Sequence, residues 1–345
     1  FKQKTAYEIG VRLVGSEMCI RDRTDLDISV LGFGCGAVGG LMVRGEHKEM
    51  LKTVEFALDA GMNYFDTARA YGDGLSEIHL GALLRELGSP NVIIGTKVKL
   101  NKEHSGSIQN EVSEQIDNSL KRLGAESVDI VYTHNRITDD SLENSGDLNQ
   151  SDMEDVVIAF EKAVFEGKIR YWGFNGLGST ASVTDTIKQF SPAGIHTCYN
   201  LLNPSAGEPV SPQFPYQDYD SLIGKCNLSG VGTVAIRILA GGALTGSSAR
   251  HPISALEVAP ISTGKSMKDD VSQSLNYSFL VDEGYVESLS EAAIRFAVTN
   301  EKVHTALIGL SNLNHLEHAV NAVEKGPLEE EVLGKIATAR KEIFS

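Results

Sequence analysis

The most restrictive feature of this sequence is its regular alternation of short apolar runs with longer stretches of helical spacing. Eight times along the chain, a short apolar run is followed by apolar residues three or four positions apart. Such strict alternation predicts a parallel sheet, because parallel strands need a crossover between them. No change in composition marks a second domain. Eight units in one chain therefore favour a closed (β/α)8 TIM barrel over an open sheet.

The predicted elements follow this pattern along the chain. The strands cover residues 28–35, the run that ends at Asp66, and residues 91–98, 128–132, 169–174, 195–199, 231–239 and 304–308. The helices after them cover residues 46–60, 75–87, 108–123, 153–165, 182–190, 218–227, 289–298 and 313–323, and a closing helix covers 329–343. Residues 138–152 and 250–287 are predicted to be long irregular insertions after strands four and seven, where barrel loops vary in length and carry function.

The first residues are expected to lie outside the folded domain. Residues 14–22 resemble a translated sequencing-adapter read-through. Residues 1–23 also lack the apolar region and the small-residue cleavage site of a signal peptide. We therefore expect residues 1–23 to be a non-native or disordered leader and residues 24–345 to form a single barrel domain.

Composition limits the classes of partner. A formal net charge of -15 argues against nucleic acid and anionic membranes, which both bind basic surfaces. No apolar run reaches the roughly 18 residues that a membrane span needs. The four cysteines form no C-x-x-C pair, so neither a metal site nor a disulfide framework is indicated: Cys19, Cys35, Cys198 and Cys226. We expect a cytoplasmic protein, since reduced cysteines are the rule there.

Four side chains with acid–base chemistry follow three consecutive predicted strands. Asp66 and Tyr71 follow strand two, Lys97 ends strand three, and His134 follows strand four. Adjacent strands bring these groups to one rim of a barrel, at the end where barrel catalysis occurs. Each residue also has a structural interpretation: Asp66 as a cap, Lys97 as a surface strand lysine, and His134 as a loop histidine with its hydrogen bonds satisfied. All four together, in register, favour the functional interpretation.

The chemistry of the four groups is complementary. A tyrosine with a pKa near 10 is a poor acid at neutral pH unless its phenolate is stabilised. An ammonium group nearby provides that stabilisation, and a carboxylate beside the ammonium keeps it charged and oriented. A histidine at the same rim can hydrogen-bond a substrate carbonyl oxygen.

From about Thr24 to its C-terminus the sequence resembles the aldo-keto reductase family. The pattern Asp66, Tyr71, Lys97, His134 falls on the family's catalytic tetrad. The supporting segments are residues 63–68 with Tyr71-Gly72 and Ser76-Glu77, residues 95–97, residues 128–130, residues 167–171 and residues 307–309.

This resemblance implies hydride transfer between a nicotinamide cofactor and an aldehyde, ketone or aldose. It implies that Tyr71 exchanges the proton with the substrate oxygen, Lys97 tunes the phenol, Asp66 supports Lys97, and His134 orients the carbonyl. The family binds its cofactor extended across the barrel mouth without a Rossmann domain. Consistent with that, the glycine-rich segment at residues 36–40 is not a G-x-G-x-x-G fingerprint.

The expected cofactor bed departs from the common family pattern. Asn175-Gly176 stands where many members have Ser-Asn, and His196 stands where glutamine is usual. Ile236 replaces an aromatic residue that stacks on the nicotinamide, and Arg237 after it either reaches the pyrophosphate or forms a salt bridge at the rim. The resemblance places further residues at the cofactor: Cys35, Gly36, Asp66, Leu239, Gly241, Leu244, Gly309, Ser311, His315 and His318.

The residues after strand eight bear on cofactor choice. Ser311 stands where members that prefer NADP carry an arginine for the 2′-phosphate, so a bidentate guanidinium is missing. His318 and Ala319 replace a common Glu-Asn pair near the adenine. These features resemble the branch of L-galactose and L-fucose type dehydrogenases, in which NAD is often used. We therefore expect NAD or NADP, with NAD favoured.

Three functions compete at this point. The first is an active oxidoreductase on a small carbonyl or sugar substrate. The second is a cofactor-binding regulatory or sensor barrel with little turnover, as the potassium-channel β-subunits of the family suggest. The third is an unrelated barrel enzyme such as an isomerase or hydrolase, which the complete tetrad and the lack of a G-x-S-x-G elbow disfavour. The sequence determines neither the substrate nor the oligomeric state.

Overall fold

Eight parallel strands close into one barrel, in which each strand pairs with its neighbours in sequence order and β8 pairs with β1. A computed structural model describes residues 24–101, 107–139 and 146–343. The expectation for residues 1–23 falls outside these ranges. Helices separate the strands and cover the barrel, so the predicted (β/α)8 fold is confirmed.

The strands are short, as they are in other barrels of this type. They are β1 Leu31–Gly34, β2 Tyr64–Asp66, β3 Ile93–Val98, β4 Val128–Thr133, β5 Ile169–Asn175, β6 Gly194–Cys198, β7 Gly232–Ile236 and β8 Thr305–Gly309.

The α-helices alternate with these strands. They are α1 Leu41–Arg44, α2 His47–Asp59, α3 Leu75–Glu86, α4 Ile108–Leu123, α5 Gln150–Phe165, α6 Thr180–Phe190, α7 Leu222–Leu228, α8 Met267–Ser274, α9 Phe279–Asp282, α10 Leu289–Thr299, α11 Leu313–Glu324 and α12 Glu330–Ile343. Within the described ranges, none of these helices is both long and apolar enough to cross a membrane.

Apolar residues form two separate clusters. The larger cluster lies between the strands and the helices around them and includes Phe33, Phe65 and Phe160. A smaller cluster includes Tyr64 and Tyr132, together with Leu26 and Ile28 from the segment before β1. Strand side chains point alternately to the two faces of the sheet. Because the two clusters take side chains from both faces, these strands are buried on both sides. The barrel is therefore a filled support for the residues at its rim.

Strand register determines which polar residues meet at the carboxyl end of the barrel. Asp66 ends β2 opposite Gly95 of β3, and Lys97 follows two residues later along β3. Asn175 ends β5 opposite His196 of β6. Because the carboxyl ends of all eight strands point the same way, these side chains converge on one rim.

Strand β7 is shorter than the sequence pattern predicts. The apolar run extends to residue 239, but the strand ends at Ile236. Arg237 has a φ of 57°, in the left-handed region that side chains other than glycine seldom adopt. The chain then turns into a 3₁₀ helix, Ala240–Thr245. This turn directs the segment after β7 across the barrel mouth.

The segment at residues 138–152 is better packed than predicted, although residues 140–145 lie outside the described ranges. Ile137, Leu148 and Asp147 are buried, and Ile137 forms bridges to both Leu148 and Gly178. Helix α5 begins at Gln150, three residues before the predicted start. The reason is a capping box: Asn149 accepts from the Asp152 N–H, and Asp152 accepts from the Asn149 N–H.

The remaining differences concern segments without clear periodicity. Residues 250–287, predicted to be irregular, contain α8, α9 and a 3₁₀ turn. Helix α7 starts at Leu222 and not at residue 218, since Asp220 and Ser221 both have positive φ. The short α1 has no counterpart in the prediction, because four residues are too few to show a helical period.

Candidate active site

Lys97 and Asp66 form a buried ion pair at the carboxyl ends of β3 and β2. The Lys97 ammonium donates to Asp66 Oδ1 and also to the Thr67 carbonyl oxygen, at 3.0 Å. Both side chains are only 3 % exposed. A lysine and a carboxylate are seldom buried this deeply unless they are paired. The interpretation of Lys97 as a surface lysine is therefore wrong.

Tyr71 lies directly beside this pair. The Lys97 Nζ is 4.9 Å from the centroid of the Tyr71 ring. The loop that carries Tyr71 is fixed at its base by a hydrogen bond of 2.8 Å between Thr67 and Ser76, and Ser76 donates to the Cys35 carbonyl at 3.0 Å. Gly72, next to Tyr71, has a φ of 63°, and an added Cβ would lie 2.4 Å from Val43 Cγ1. A residue with a side chain at position 72 would therefore displace this loop.

Burial dominates the electrostatics of the three groups. It raises the pKa of the Tyr71 phenol above its ordinary value, and Lys97 opposes part of that rise. Burial likewise raises the pKa of Asp66, again opposed by Lys97. For Lys97, burial lowers the pKa, but Asp66 and Tyr71 outweigh it and keep the pKa above its ordinary value. The ammonium is thus retained, and in the free protein burial outweighs its effect on the pKa of the phenol.

His134 stands edge-to-face with Tyr71 across the mouth of the cavity. The two ring centroids are 5.6 Å apart with an interplanar angle of 88°. Burial, and then the charges of Lys97 and Lys99, lower the pKa of His134 to about 3. Among the described residues its Nδ1 has no hydrogen-bond partner. A neutral imidazole with an unpaired nitrogen can hydrogen-bond a ligand without titrating near neutral pH.

Two further polar residues lie under the tetrad. His196 Nε2 is 3.3 Å from Asp66 Oδ2, and its ring lies 4.2 Å from that of Tyr132, centroid to centroid. Burial, followed by the charge of Lys97, lowers the pKa of His196 well below its ordinary value. Asn175 donates to the His134 carbonyl at 3.3 Å, while its Oδ1 is buried without a partner among the described residues. An unsatisfied buried carbonyl oxygen indicates a place for a ligand N–H.

All of these groups open into one cavity of about 640 Å³ at the barrel mouth. The tetrad lines this cavity, as do most of the residues predicted to bind a cofactor: Gly36, Asp66, Asn175, His196, Ile236, Arg237, Leu239, Gly241, Gly309, Ser311, His315 and His318. Cys35 and Leu244 do not line it. Both are buried at 1 % exposure or less, with the larger apolar cluster. Their role in cofactor contact stays a prediction, which the described lining of this cavity does not support.

The charges lining the cavity are mostly positive, although the chain carries a net charge of -15. Arg237 and Arg250 both face it, and burial lowers the pKa of each guanidinium. Arg237 donates only to the Ala259 carbonyl, at 3.3 Å, and no carboxylate among the described residues pairs with it, so the salt-bridge interpretation of Arg237 is wrong. Asp66 is the one acidic residue in the described lining. Such a cavity fits a ligand that carries several negative charges.

Several residues of the described lining have no counterpart among the predicted site residues. Arg250, His251 and Ser254 come from the segment after β7, and Ser288 and Ser290 come from the start of α10. The segment after β7 has no period that predicts its path, so only the adjacent Arg-His pair was available as a signal. Ser288 is the N-cap of α10, where serine is expected for structural reasons alone.

The segments on either side of the cavity are held together by polar contacts. Ser311 donates to the Gly39 carbonyl at 2.7 Å, and the Ala255 N–H donates to the Val38 carbonyl at 3.0 Å. Arg44 donates to the carbonyls of Ala37 and Ile253. The segments after β1, β7 and β8 therefore form one continuous wall.

Comparison with curated proteins gives relatives along almost the whole chain. The sequence is 26 % identical to an L-galactose dehydrogenase of Arabidopsis thaliana, over 91 % of each chain. It is also 26 % identical to a probable voltage-gated potassium channel subunit beta of Oryza sativa, over 91 % of this chain and 93 % of that one.

Solved structures share the fold at lower identity. An aldo-keto reductase of Bacillus halodurans, in its holo form, superposes with a TM-score of 0.67 at 22 % identity, over 92 % of this chain and 94 % of that chain. The glycerol dehydrogenase of Gluconobacter oxydans gives a TM-score of 0.68 at 20 % identity, over 92 % and 93 %. The model of the aldo/keto reductase family matches residues 30–341. The chain therefore belongs to the aldo/keto reductase family.

Proposed function

We propose that this protein is a nicotinamide-dependent oxidoreductase that interconverts a carbonyl compound and its alcohol. The observation that carries the proposal is the buried Lys97–Asp66 pair beside Tyr71, with neutral His134 facing the same phenol. Burying such a pair lowers the stability of the fold, and its further contacts are at the site itself, with the Thr67 carbonyl and with His196. Its position next to a titratable phenol at a barrel rim accounts for that cost.

The residues of the cavity fit a nicotinamide dinucleotide. The partnerless Oδ1 of Asn175 supplies an acceptor for the carboxamide N–H groups of the nicotinamide. Ile236 supplies an apolar surface for the ring, and Arg237 supplies a guanidinium for the pyrophosphate. When bound, the cofactor supplies or accepts the hydride.

The proton chemistry belongs to Tyr71. In the reductive direction its hydroxyl donates a proton to the substrate oxygen, and in the oxidative direction its phenolate accepts one. The Lys97 ammonium stabilises that phenolate, and Asp66 keeps the ammonium in place. His134 hydrogen-bonds the same oxygen. The raised pKa of Tyr71 in the free protein keeps the phenol protonated at neutral pH, which is the form from which the reductive direction starts.

We further propose that NAD is the preferred cofactor near neutral pH. Ser311 lacks a guanidinium, and its hydroxyl is committed to the Gly39 carbonyl. The proposed substrate is a small carbonyl or aldose, in keeping with the sugar named for the relative from Arabidopsis thaliana. The likeness to a potassium channel subunit beta keeps one alternative open, a barrel that binds the cofactor but seldom turns it over.

A single-turnover experiment separates the two functions. The purified protein is loaded with NADH or NADPH and mixed with a panel of aldehydes, ketones and aldoses, and nucleotide fluorescence is followed. We expect rapid oxidation of bound NADH by at least one member of the panel. A nucleotide that binds but is consumed by no member of the panel would support the regulatory alternative.

A further inference from the structure

One ring nitrogen of His196 lies beside a carboxylate oxygen of Asp66, underneath the tetrad. The His196 Nε2 is 3.3 Å from Asp66 Oδ2. Both atoms are buried, and neither makes a hydrogen bond to any residue that the structure describes. The other oxygen of the carboxylate, Oδ1, accepts from Lys97. An unpaired buried oxygen destabilises the charged form of a carboxyl group, so a donor at this distance is important for Asp66.

The charge of the His196 ring is determined by its surroundings. Burial and then the charge of Lys97 lower its pKa well below the ordinary value, so the imidazole is neutral. A neutral imidazole carries one proton, on either Nδ1 or Nε2. With the proton on Nδ1, the lone pair of Nε2 would face the Asp66 carboxylate and be repelled by it. The contact therefore favours the tautomer with the proton on Nε2, which can donate to Asp66.

Packing holds the imidazole of His196 in this position. Its centroid is 4.2 Å from that of the Tyr132 ring, and the Tyr132 hydroxyl is 3.2 Å from the hydroxyl of Tyr64. On the backbone side, His196 pairs with Asn175 of β5 and with Val234 of β7. A side chain held in this way can present a donor with little further loss of conformational entropy.

The titratable groups that face Asp66 come from several elements, and most of them are uncharged. Lys97 of β3 is the cation that bonds Asp66. Four groups stay protonated and neutral at pH 7 because burial raises their pKa: Cys35 after β1, Tyr64 of β2, Tyr71 in the loop after β2 and Tyr132 of β4. His134 is neutral because burial lowers its pKa. Among the described residues, Lys97 and His196 are therefore the groups placed to stabilise the charged form of Asp66.

We propose that His196 is a positioning residue of the tetrad, which donates its Nε2 proton to Asp66 Oδ2 and so keeps the carboxylate ionised and aligned on Lys97. A small rotation of the ring completes this hydrogen bond from the contact of 3.3 Å. The inference rests on the proposed function, in which Lys97 stabilises the phenolate of Tyr71. Without His196, Oδ2 has no donor, the pKa of Asp66 rises further, and the support of Lys97 is lost at a higher pH.

The first test determines the tautomer in the wild-type protein and needs no substrate. Long-range ¹H–¹⁵N correlation NMR of protein labelled with ¹⁵N in its histidine rings distinguishes the imidazolium form from the two neutral tautomers. We expect His196 to be neutral, with its proton on Nε2, from about pH 6 to pH 9. The signal is assigned by its absence from His196→Gln. A proton on Nδ1, or an imidazolium in that range, would overturn the proposal.

The second test compares two substitutions at position 196 in NADH-dependent reduction. His196→Leu removes the donor, whereas His196→Gln keeps an N–H donor at a similar distance from the backbone. We expect leucine to lower kcat about tenfold and to move the acid limb of the kcat/KM profile up by about one pH unit, because a carboxylate that loses a donor is protonated at a higher pH. Glutamine should restore both quantities, and the Kd for NADH, measured by fluorescence titration, should stay unchanged in both variants.

His304→Leu is the matched control. It removes another buried imidazole, whose Nδ1 accepts from the Thr233 N–H at 3.1 Å at the amino end of β8. This variant should lose stability but keep the wild-type kcat and the wild-type acid limb. Equal changes of both quantities in His304→Leu and His196→Leu would overturn the positioning role, since a general loss of packing would then explain them.

The outcomes separate this inference from the function on which it rests. An unchanged kcat with a raised Kd for NADH in His196→Leu would mean that His196 contacts the cofactor instead, and would overturn the positioning role. A loss of kcat in His196→Gln as large as that in His196→Leu would also overturn it. Failure of the wild type to oxidise NADH with any carbonyl compound would overturn the proposed function, whereas the NMR tautomer would still decide whether His196 donates to Asp66.

Discussion

At the scale of single residues, the tetrad illustrates how burial and charge oppose each other. Tyr71 is made a weaker acid by burial, yet Lys97 keeps an ammonium beside it. Under the proposed function, this ammonium stabilises the phenolate when the phenol releases its proton. At His134, by contrast, burial and charge act in the same direction: burial and two lysines both lower the pKa of the imidazole and keep it neutral.

The neutrality of His134 leads to a prediction about pH. Because its pKa is about 3, His134 should contribute no ionisation to kcat/KM between about pH 5 and pH 9. Replacing it with alanine should lower kcat/KM by about 100-fold, as expected for the loss of one hydrogen-bond donor to the reacting oxygen. The measurement is a pH series of kcat/KM for the wild type, His134→Gln and His134→Ala.

The glutamine variant is the control, since it keeps a donor that never titrates. Its pH profile should have the same shape as that of the wild type. A fall in the wild-type rate below pH 7 that is missing from His134→Gln would contradict the assignment of a neutral histidine.

The residue types and order of the tetrad were predictable from the sequence, and their environment was not. Asp66, Tyr71, Lys97 and His134 follow consecutive strands, and a closed barrel brings such positions together. The net rise in the pKa of Tyr71 depends on how deeply the chain buries it. Sequence position likewise does not tell whether side chains such as Cys35 and Leu244 face the cavity or the larger apolar cluster, in which the structure places both.

At the scale of elements, the strands and most helices were predicted within a few residues, and the exceptions have local causes. β7 ends early because Arg237 adopts a left-handed conformation. Helix α5 starts early because Asn149 and Asp152 cap each other. The segment after β7, which supplies Arg250 and His251, could not be predicted, since its path is set by contacts with residues distant in sequence such as Val38 and Arg44.

The capping box of α5 can be tested by substitution. Asn149→Ala removes the acceptor for the Asp152 N–H and should lower the free energy of unfolding by about 1 kcal/mol. Asn314→Ala, at an exposed asparagine in the first turn of α11, should change it by less than about 0.5 kcal/mol. Urea unfolding at neutral pH measures both. Equal shifts in the two variants would mean that the Asn149 side chain does not stabilise the start of α5.

At the scale of the whole molecule, an acidic chain surrounds a cavity with a basic lining. The chain carries a net charge of -15, while Lys97, Arg237 and Arg250 concentrate positive charge in the described lining of the cavity. Hydrogen bonds join the segments after β1, β7 and β8, so one wall of the cavity is built from three distant parts of the chain. The whole-chain pattern predicted the barrel but could not predict this distribution of charge, which depends on the segment after β7.

The most direct test of the account is transfer of deuterium from NADH deuterated at C4 of the nicotinamide to a carbonyl substrate, followed by mass spectrometry of the alcohol. The account predicts one deuterium per product molecule for the wild type. In Tyr71→Phe it predicts unchanged NADH affinity and a transfer rate lower by about 100- to 10,000-fold. Tyr285→Phe, which makes the same change at a tyrosine outside the cavity, should transfer deuterium at the wild-type rate. Transfer at the wild-type rate in Tyr71→Phe would contradict the account.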